Sequence, residues 1–358
     1  MIFEPFKLGN LELKNRLVVA PMTTYSSRPD GVIADDEIPY LRRRAEGGFG
    51  MVMTAACAVH PRGKAFDGQW ACWSDEFRPS LRRVADAIRD GGAKSCLQIH
   101  HGGRACPSRL CGGVPLSASA IPPERPNAEI PRAMTEDEIE EAIQAYADAA
   151  RRGIEAGFDA IEIHGANTYL LQQFVSPHSN RRDDKWGQNR LLFVEKVVDA
   201  VLKACPDSVV GYRFSSEELE EPGIRWEDTA ALLDLLCSKG LAILHVSLWD
   251  YRLRGLKGDW PGTTLERVAS KIAGRKPLIG VGKVWSEADA ESVLASGADL
   301  VALGRSALAN PEWPRLIQSG GEVRLKIPKK GAAALLTWPK GLEEKAYSVP
   351  GWFEVEDE

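Results

Sequence analysis

The chain has 358 residues, 44% of them apolar and 27% charged, which is enough to bury a large core and allows either two ordinary domains or one (β/α)8 barrel. A formal net charge of -5, with basic residues scattered rather than clustered, supplies no positive field for a phosphate backbone and excludes nucleic acid as the expected partner. No run approaches the roughly eighteen apolar residues of a membrane span, and Met1-Ile2-Phe3-Glu4-Pro5 lacks the regions of a signal peptide, so the expectation is a cytoplasmic protein with no membrane partner.

In chain order, Phe6-Lys7-Leu8 and Leu11-Glu12-Leu13 flank Gly9-Asn10, a hairpin signal. Short apolar runs of strand character follow at Leu17–Ala20, Met51–Thr54, Ser95–Ile99, Ala160–His164, Val209–Phe214, Ile243–Val246, Pro277–Val281 and Leu300–Leu303. They alternate with longer stretches of helical period, the pattern of βα units on a parallel sheet. Thr135 with Glu138 forms a capping box ahead of Ile139, Ala142, Ile143 and Tyr146, with Gly153 and Gly157 as the stop. Ser286 with Glu287 and Asp289 opens a later helix that Gly297 ends. The segment Pro107–Arg132, rich in Pro and Ser, is too long for a simple βα turn and reads as an excursion over one face. Seven cysteines without CxxC spacing read as buried fillers and give no zinc site or disulfide framework. Residues 320–358 carry three prolines and two tryptophans but no strong period, and read as a tail that wraps the domain, reaches a neighbouring subunit or stays disordered. Eight βα repeats fit a closed barrel, although the count alone also fits a doubly wound sheet.

The densest chemistry lies in Ala160-Ile161-Glu162-Ile163-His164-Gly165-Ala166-Asn167-Thr168-Tyr169 and the following Leu170-Leu171-Gln172-Gln173-Phe174. An apolar strand ends in His164, Asn167 and Tyr169, which places two hydrogen-bond donors and a phenol at the mouth of a buried element, a setting for chemistry on a carbonyl compound. This segment resembles the core signature of the Old Yellow Enzyme family, flavin-dependent ene-reductases on a TIM barrel, and the resemblance runs from Pro5 to about Ile317. It implies an α/β fold with one (β/α)8 barrel over residues 1–319, a floor hairpin and an irregular tail. It also implies bound FMN, NADH or NADPH as hydride donor, and transfer through flavin N5 to the activated C=C bond of an enone in a ping-pong cycle.

Individual positions carry the family's roles by match. Pro21, Met22 and Thr23, after the first strand, match the motif lying against the flavin, with Thr23 at the C4 carbonyl, and Ala56 matches the small contact at its edge. Gln98 matches the glutamine bonded to the flavin ring, and Arg213 the cation facing N1 and O2, where reduction brings negative charge. Gly282-Lys283 and Gly304-Arg305, after strands seven and eight, form the expected phosphate cradle, with Lys283 acting mainly through its backbone and Arg305 through its guanidinium. His164 and Asn167 are to hold the substrate oxygen, Tyr169 is to protonate the α-carbon, and Tyr25 and His100 are to line the substrate pocket. Trp70 and Trp73 are pocket candidates against an equal expectation of packing.

Two departures stand out. Histidine at position 100 replaces a residue that is often apolar or aromatic in the family, and the spacing between Trp186-Gly187 and Asn189-Arg190 is short. The rival readings are a flavin reductase acting on quinones, nitro compounds or oxygen, and a flavin-binding protein without turnover; no metal site is expected. The acceptor is a small molecule, and the preference between NADH and NADPH and the homo-oligomeric state are left open.

Overall fold

A computed structural model describes residues 1–256 and 260–356; the last two residues of the predicted tail lie outside the described residues. Eight parallel strands carry the fold: β1 (Leu17–Val19), β2 (Met51–Met53), β3 (Lys94–His100), β4 (Ala160–Gly165), β5 (Val209–Phe214), β6 (Ile243–Val246), β7 (Leu278–Val281) and β8 (Leu300–Leu303). Each pairs with the next in sequence, and β8 pairs back onto β1 through Val301 opposite Leu17, so the sheet closes. This is a (β/α)8 barrel, not the open alternative. The expected runs coincide with these strands, and no end differs by more than one residue.

Closure follows from the period of the strands. Alternate residues point to opposite faces, and one set (Val18, Met51, Met53, Cys96, Ala160, Val209, Ile279, Leu300 and Ala302) fills the barrel interior. The other set, which includes Leu17, Val52, Leu97, Ile161, Val210, Leu244 and Val301, packs outward against the helices. The hairpin, Phe6–Leu8 antiparallel to Leu11–Leu13 around Gly9 at φ 57, inserts Leu8 and Leu13 into the interior cluster and plugs its lower end. Towards the carboxyl ends of the strands the inward positions turn polar: Gln98 beside Glu162, then Arg213 beside His164 on one side and His245 on the other. That change from apolar plug to polar layer fixes which end carries the chemistry.

The helix Glu136–Glu155 starts at the Thr135–Glu138 capping box, and Glu287–Ala295 at the box formed by Ser286 and Asp289. Gly153, expected as a stop, lies inside its helix; the chain leaves through Ala156 and Gly157, the latter at φ 99. A methyl at Gly153 would lie 2.7 Å from Leu97 and 2.8 Å from Ile161, so this glycine permits close approach of helix to sheet rather than termination.

After β3 the chain makes an excursion with a short helix at Ser108–Cys111 and a strand pair, Leu116–Ser117 with Arg132–Ala133. The residues after 320 form helices Ala332–Leu336 and Lys340–Ser348. Trp338 is buried and donates to the Leu308 carbonyl at 3.0 Å, while Gly341 N donates to Ser26 Oγ at 2.8 Å, beside the loop that follows β1. Among the described residues all seven cysteines are free, and no helix is long and apolar enough to cross a membrane.

Candidate active site

The polar layer is built around Glu162. Its carboxylate, 1% exposed, accepts from Gln98 Nε2 at 2.7 Å and pairs with His245 Nδ1 at 2.7 Å. Burial alone pushes this carboxyl up, but His245, Arg213 and the Gln98 amide outweigh it and hold the group below its ordinary value. Burial also keeps the His245 imidazole neutral, so the counter-charge to Glu162 is Arg213, itself nearly buried. With one Gln98 N–H committed to Glu162, its carbonyl oxygen and second N–H remain for a ligand above.

His164 ends β4 in a defined tautomer. Its Nδ1 accepts the Ala166 backbone N–H at 3.3 Å, and because a backbone N–H only donates, the ring proton of the neutral imidazole sits on Nε2. Burial, followed by the neighbouring His100 and Arg213, pushes this histidine well below its ordinary value, so it is a neutral donor through the physiological range. Gly165 is required next: a Cβ there would lie 2.0 Å from the Tyr212 hydroxyl.

The chain then turns through two left-handed residues, Asn167 at φ 58 and Thr168 at φ 63. For a β-branched threonine this conformation costs about 1–3 kcal/mol. It is held by Asn167 N on Ser215 Oγ (2.9 Å), Thr168 N on Gln172 Oε1 (2.9 Å) and Gln173 Nε2 on the Thr168 carbonyl (2.7 Å). The turn brings Tyr169 back over the barrel mouth, its ring 5.2 Å from His164, 4.4 Å from His100 and 6.0 Å from Phe66. Asn167 stands on the exposed rim; its Oδ1 accepts from Ser247 Oγ at 3.0 Å, which leaves the amide NH2 to donate. Burial, then the nearby Tyr25, raises the Tyr169 phenol, so it stays protonated.

Beside this cluster lies a cleft of ≈ 390 Å³ lined by Pro21, Met22, Arg213, Gly282, Lys283, Gly304 and Arg305, with Trp249, Ser306 and Trp352 added from elsewhere in the chain. Its residues fit FMN on three observations. A Cβ at Gly304 would meet no protein atom nearer than Met22 Sδ at 3.7 Å, so the backbone is open to the cleft there. Ser306 Oγ and Arg213 Nε are buried donors with no partner among the described residues. A phosphate at the first and a pyrimidine carbonyl at the second would satisfy them. The Lys283 ammonium is engaged by Asp250 (3.4 Å) and the Trp249 ring (4.2 Å), which fits a contribution to the cleft through its backbone.

Thr23 and Ala56 lie off this cleft's lining. Thr23 is half-buried, and the Ala56 carbonyl accepts from Gln69 at 3.1 Å. Tyr25, at φ 55, meets Phe66 edge-on at 6.0 Å and so joins the rings around Tyr169. Trp70 does not: it is fully buried and donates to Glu37 at 2.6 Å, while Trp73 packs on Phe77. Sequence reasoning missed Glu162, His245, Phe66, Gln69, Trp249, Ser306 and Trp352. A carboxylate inside an apolar strand was the one available signal among them, since such a group requires a buried partner.

A model of the NADH:flavin oxidoreductase / NADH oxidase family matches residues 1–323. A probable NADH-dependent flavin oxidoreductase of Bacillus subtilis is 40% identical over 369 residues, spanning 99% of this chain and 98% of that protein. The NADH:fumarate oxidoreductase of Klebsiella pneumoniae is 42% identical over 93% of this chain, which corresponds to 38% of that longer protein. Among solved structures, an Old Yellow Enzyme homologue from Zymomonas mobilis superposes with a TM-score of 0.81 at 25% identity, over 96% of this chain and 98% of that one.

Proposed function

The chain belongs to the NADH:flavin oxidoreductase / NADH oxidase family and is an FMN-dependent oxidoreductase, and from that premise we propose that it reduces the activated C=C bond of an α,β-unsaturated carbonyl compound. FMN held in the cleft by Arg213, Gly304, Arg305 and Ser306 would supply the hydride chemistry between NADH or NADPH and the alkene β-carbon. Every other requirement falls on the protein. His164 Nε2–H and the Asn167 amide donate to the substrate oxygen, whose negative charge grows as hydride arrives, so fixed donors favour the transition state over the ground state. Tyr169 supplies the proton that the α-carbon needs, and its half-buried phenol, raised above its ordinary value, keeps that proton until carbanion character develops. Arg213 would compensate negative charge on the pyrimidine side of a bound flavin.

The observation that carries this reading is the fixed Nε2–H tautomer of His164 with the Tyr169 ring 5.2 Å away, a neutral donor and a neutral acid at one mouth. The relative named for fumarate favours an alkene acceptor over a reductase of quinones or oxygen. Product analysis with 2-cyclohexenone and with a quinone under NADH tests it. Saturated ketone from the enone supports the proposal; turnover of quinone alone, with the enone returned unchanged, refutes it.

A further inference from the structure

His100 has a hydrogen-bonding arrangement that packing does not call for. It ends β3, is 0% exposed, and stands 4.4 Å from the Tyr169 ring at an interplanar angle of 81° and 5.4 Å from the His164 ring. Its Nδ1 lies 3.0 Å from Gln69 Nε2. The orientation of that amide is dictated by backbone: Gln69 Oε1 receives the N–H groups of Ala65 at 2.7 Å and Phe66 at 3.3 Å, and Gln69 Nε2 also donates to the Ala56 carbonyl at 3.1 Å. Backbone N–H groups only donate, so the amide cannot be flipped, and His100 Nδ1 must accept. The neutral ring then carries its proton on Nε2.

That Nε2–H is buried and has no partner among the described residues. An unpaired buried donor costs about 1–3 kcal/mol and is uncommon in native structures. Phenylalanine would fill the same space among Phe66, Tyr169 and His164 without that cost. With Nδ1 tied to Gln69, the unpaired nitrogen belongs to a ring packed 5.4 Å from the His164 ring and 4.4 Å from the Tyr169 ring, both assigned to the acceptor site.

We propose that His100 Nε2–H is a third donor at the acceptor site, bonded to the second oxygen of a carboxylate, and that the enzyme is shaped for α,β-unsaturated carboxylic acids. This rests on the ene-reductase reading above. An enone or aldehyde offers one oxygen, which His164 and Asn167 already serve; a carboxylate offers two in one plane. A carboxylate is also a weak activator of its alkene, because it already carries negative charge. Donors on both oxygens spread the charge that hydride transfer adds, and this compensates for the poor activation. Burial pushes His100 down to about 3, so it acts as a neutral donor and its service does not depend on protonation. Arg213 is already counter-charged by Glu162, so the anion is held by the three neutral donors.

The test uses the FMN-loaded, oxidised protein and two ligands that it does not reduce, benzoate with two oxygens and benzaldehyde with one, each titrated by the change in flavin absorbance. His100→Phe removes the donor and keeps an aromatic ring. Its benzoate affinity should fall about 10–100-fold, the size of a hydrogen bond to a charged group, and at least tenfold further than its benzaldehyde affinity. His100→Gln, which restores an N–H, should recover most of the loss. Equal losses for both ligands, or no loss for benzoate, overturn the proposal. In the wild-type protein, 15N shifts should report a neutral Nε2–H imidazole at His100 from pH 5 to 8, and an Nδ1–H tautomer there overturns it without any variant. Failure of the wild-type enzyme to reduce 2-cyclohexenone would instead strike the underlying function, whatever benzoate does.

Discussion

Glu162→Gln is the perturbation that most directly probes the polar layer supporting the site. The carboxylate accepts from two donors, Gln98 Nε2 and His245 Nδ1, each at 2.7 Å and fully buried. A glutamine keeps the shape but has only one acceptor oxygen, so its NH2 faces one of those donors, and Arg213 loses its counter-charge. One hydrogen bond to a charged group is worth about 1.5–3 kcal/mol, and an unsatisfied buried donor adds about 1–3 kcal/mol. Inversion of the His245 tautomer would relieve part of the conflict, since its Nε2 has no partner among the described residues. The expected loss is therefore about 3 kcal/mol, at the low end for breaking a buried ion pair.

The pH dependence follows from the same carboxylate. Its folded-state value lies below the ordinary 4.5, so its stabilisation is present above that pH and is lost as pH falls through the lower folded value. Urea unfolding of wild type and variant, at pH 7 and through the acid range, should show the gap and then its closure. A double-mutant cycle with Arg213→Leu should show strong coupling. A loss under about 1 kcal/mol, against the roughly 3–5 kcal/mol of a broken buried pair, or additive losses in the cycle, would refute the network as described.

The cofactor side yields further expectations. Denaturation should release FMN and not FAD, since the cradle proposed at Gly304 and Ser306 takes a single phosphate; chromatography of the supernatant decides. Arg213→Ala should lower the flavin reduction potential in protein that still holds FMN, because negative charge on the pyrimidine appears on reduction; a potential unchanged or raised, by spectroelectrochemical titration, rejects that role. Trp352→Ala removes a wall of the cleft while keeping the backbone carbonyl that accepts from Arg305 Nη1 at 3.3 Å. FMN affinity, read by fluorescence titration, should drop several-fold, and an unchanged value would show that the wall is idle.

Closure into a barrel was not legible in the pattern, whose count also fits an open sheet, and came from the family resemblance. The strands and helices were legible, because the strands are short apolar runs and the helices carry local start signals, so that Thr135 with Glu138 and Ser286 with Asp289 needed nothing beyond four residues of context. The motif from His164 to Tyr169 was legible for the same reason, since its residues are close in sequence. What was hidden depends on contacts across the chain. Trp70 turned out to be held by Glu37, and a bulky aromatic in an irregular loop gives no sign of which way it faces. Gln69 reaches His100 across 31 positions, and Trp352 joins a cleft whose other walls lie far earlier in the chain. Gly153 misled because a glycine late in a helix serves either as a stop or as a place for close packing, and only the position of Leu97 and Ile161 distinguishes the two.

The most direct test of the central claim is rapid mixing of the two half-reactions in Tyr169→Phe. Reduction of the bound flavin by NADH should remain near wild type, while reoxidation by 2-cyclohexenone slows by about 10²–10⁴-fold, the usual size of general-acid catalysis. Reoxidation by a quinone, which needs no carbon protonation, should be spared. Equal slowing of enone and quinone, or an enone rate that does not change, would contradict the assignment of Tyr169 as proton donor and with it the proposed reaction.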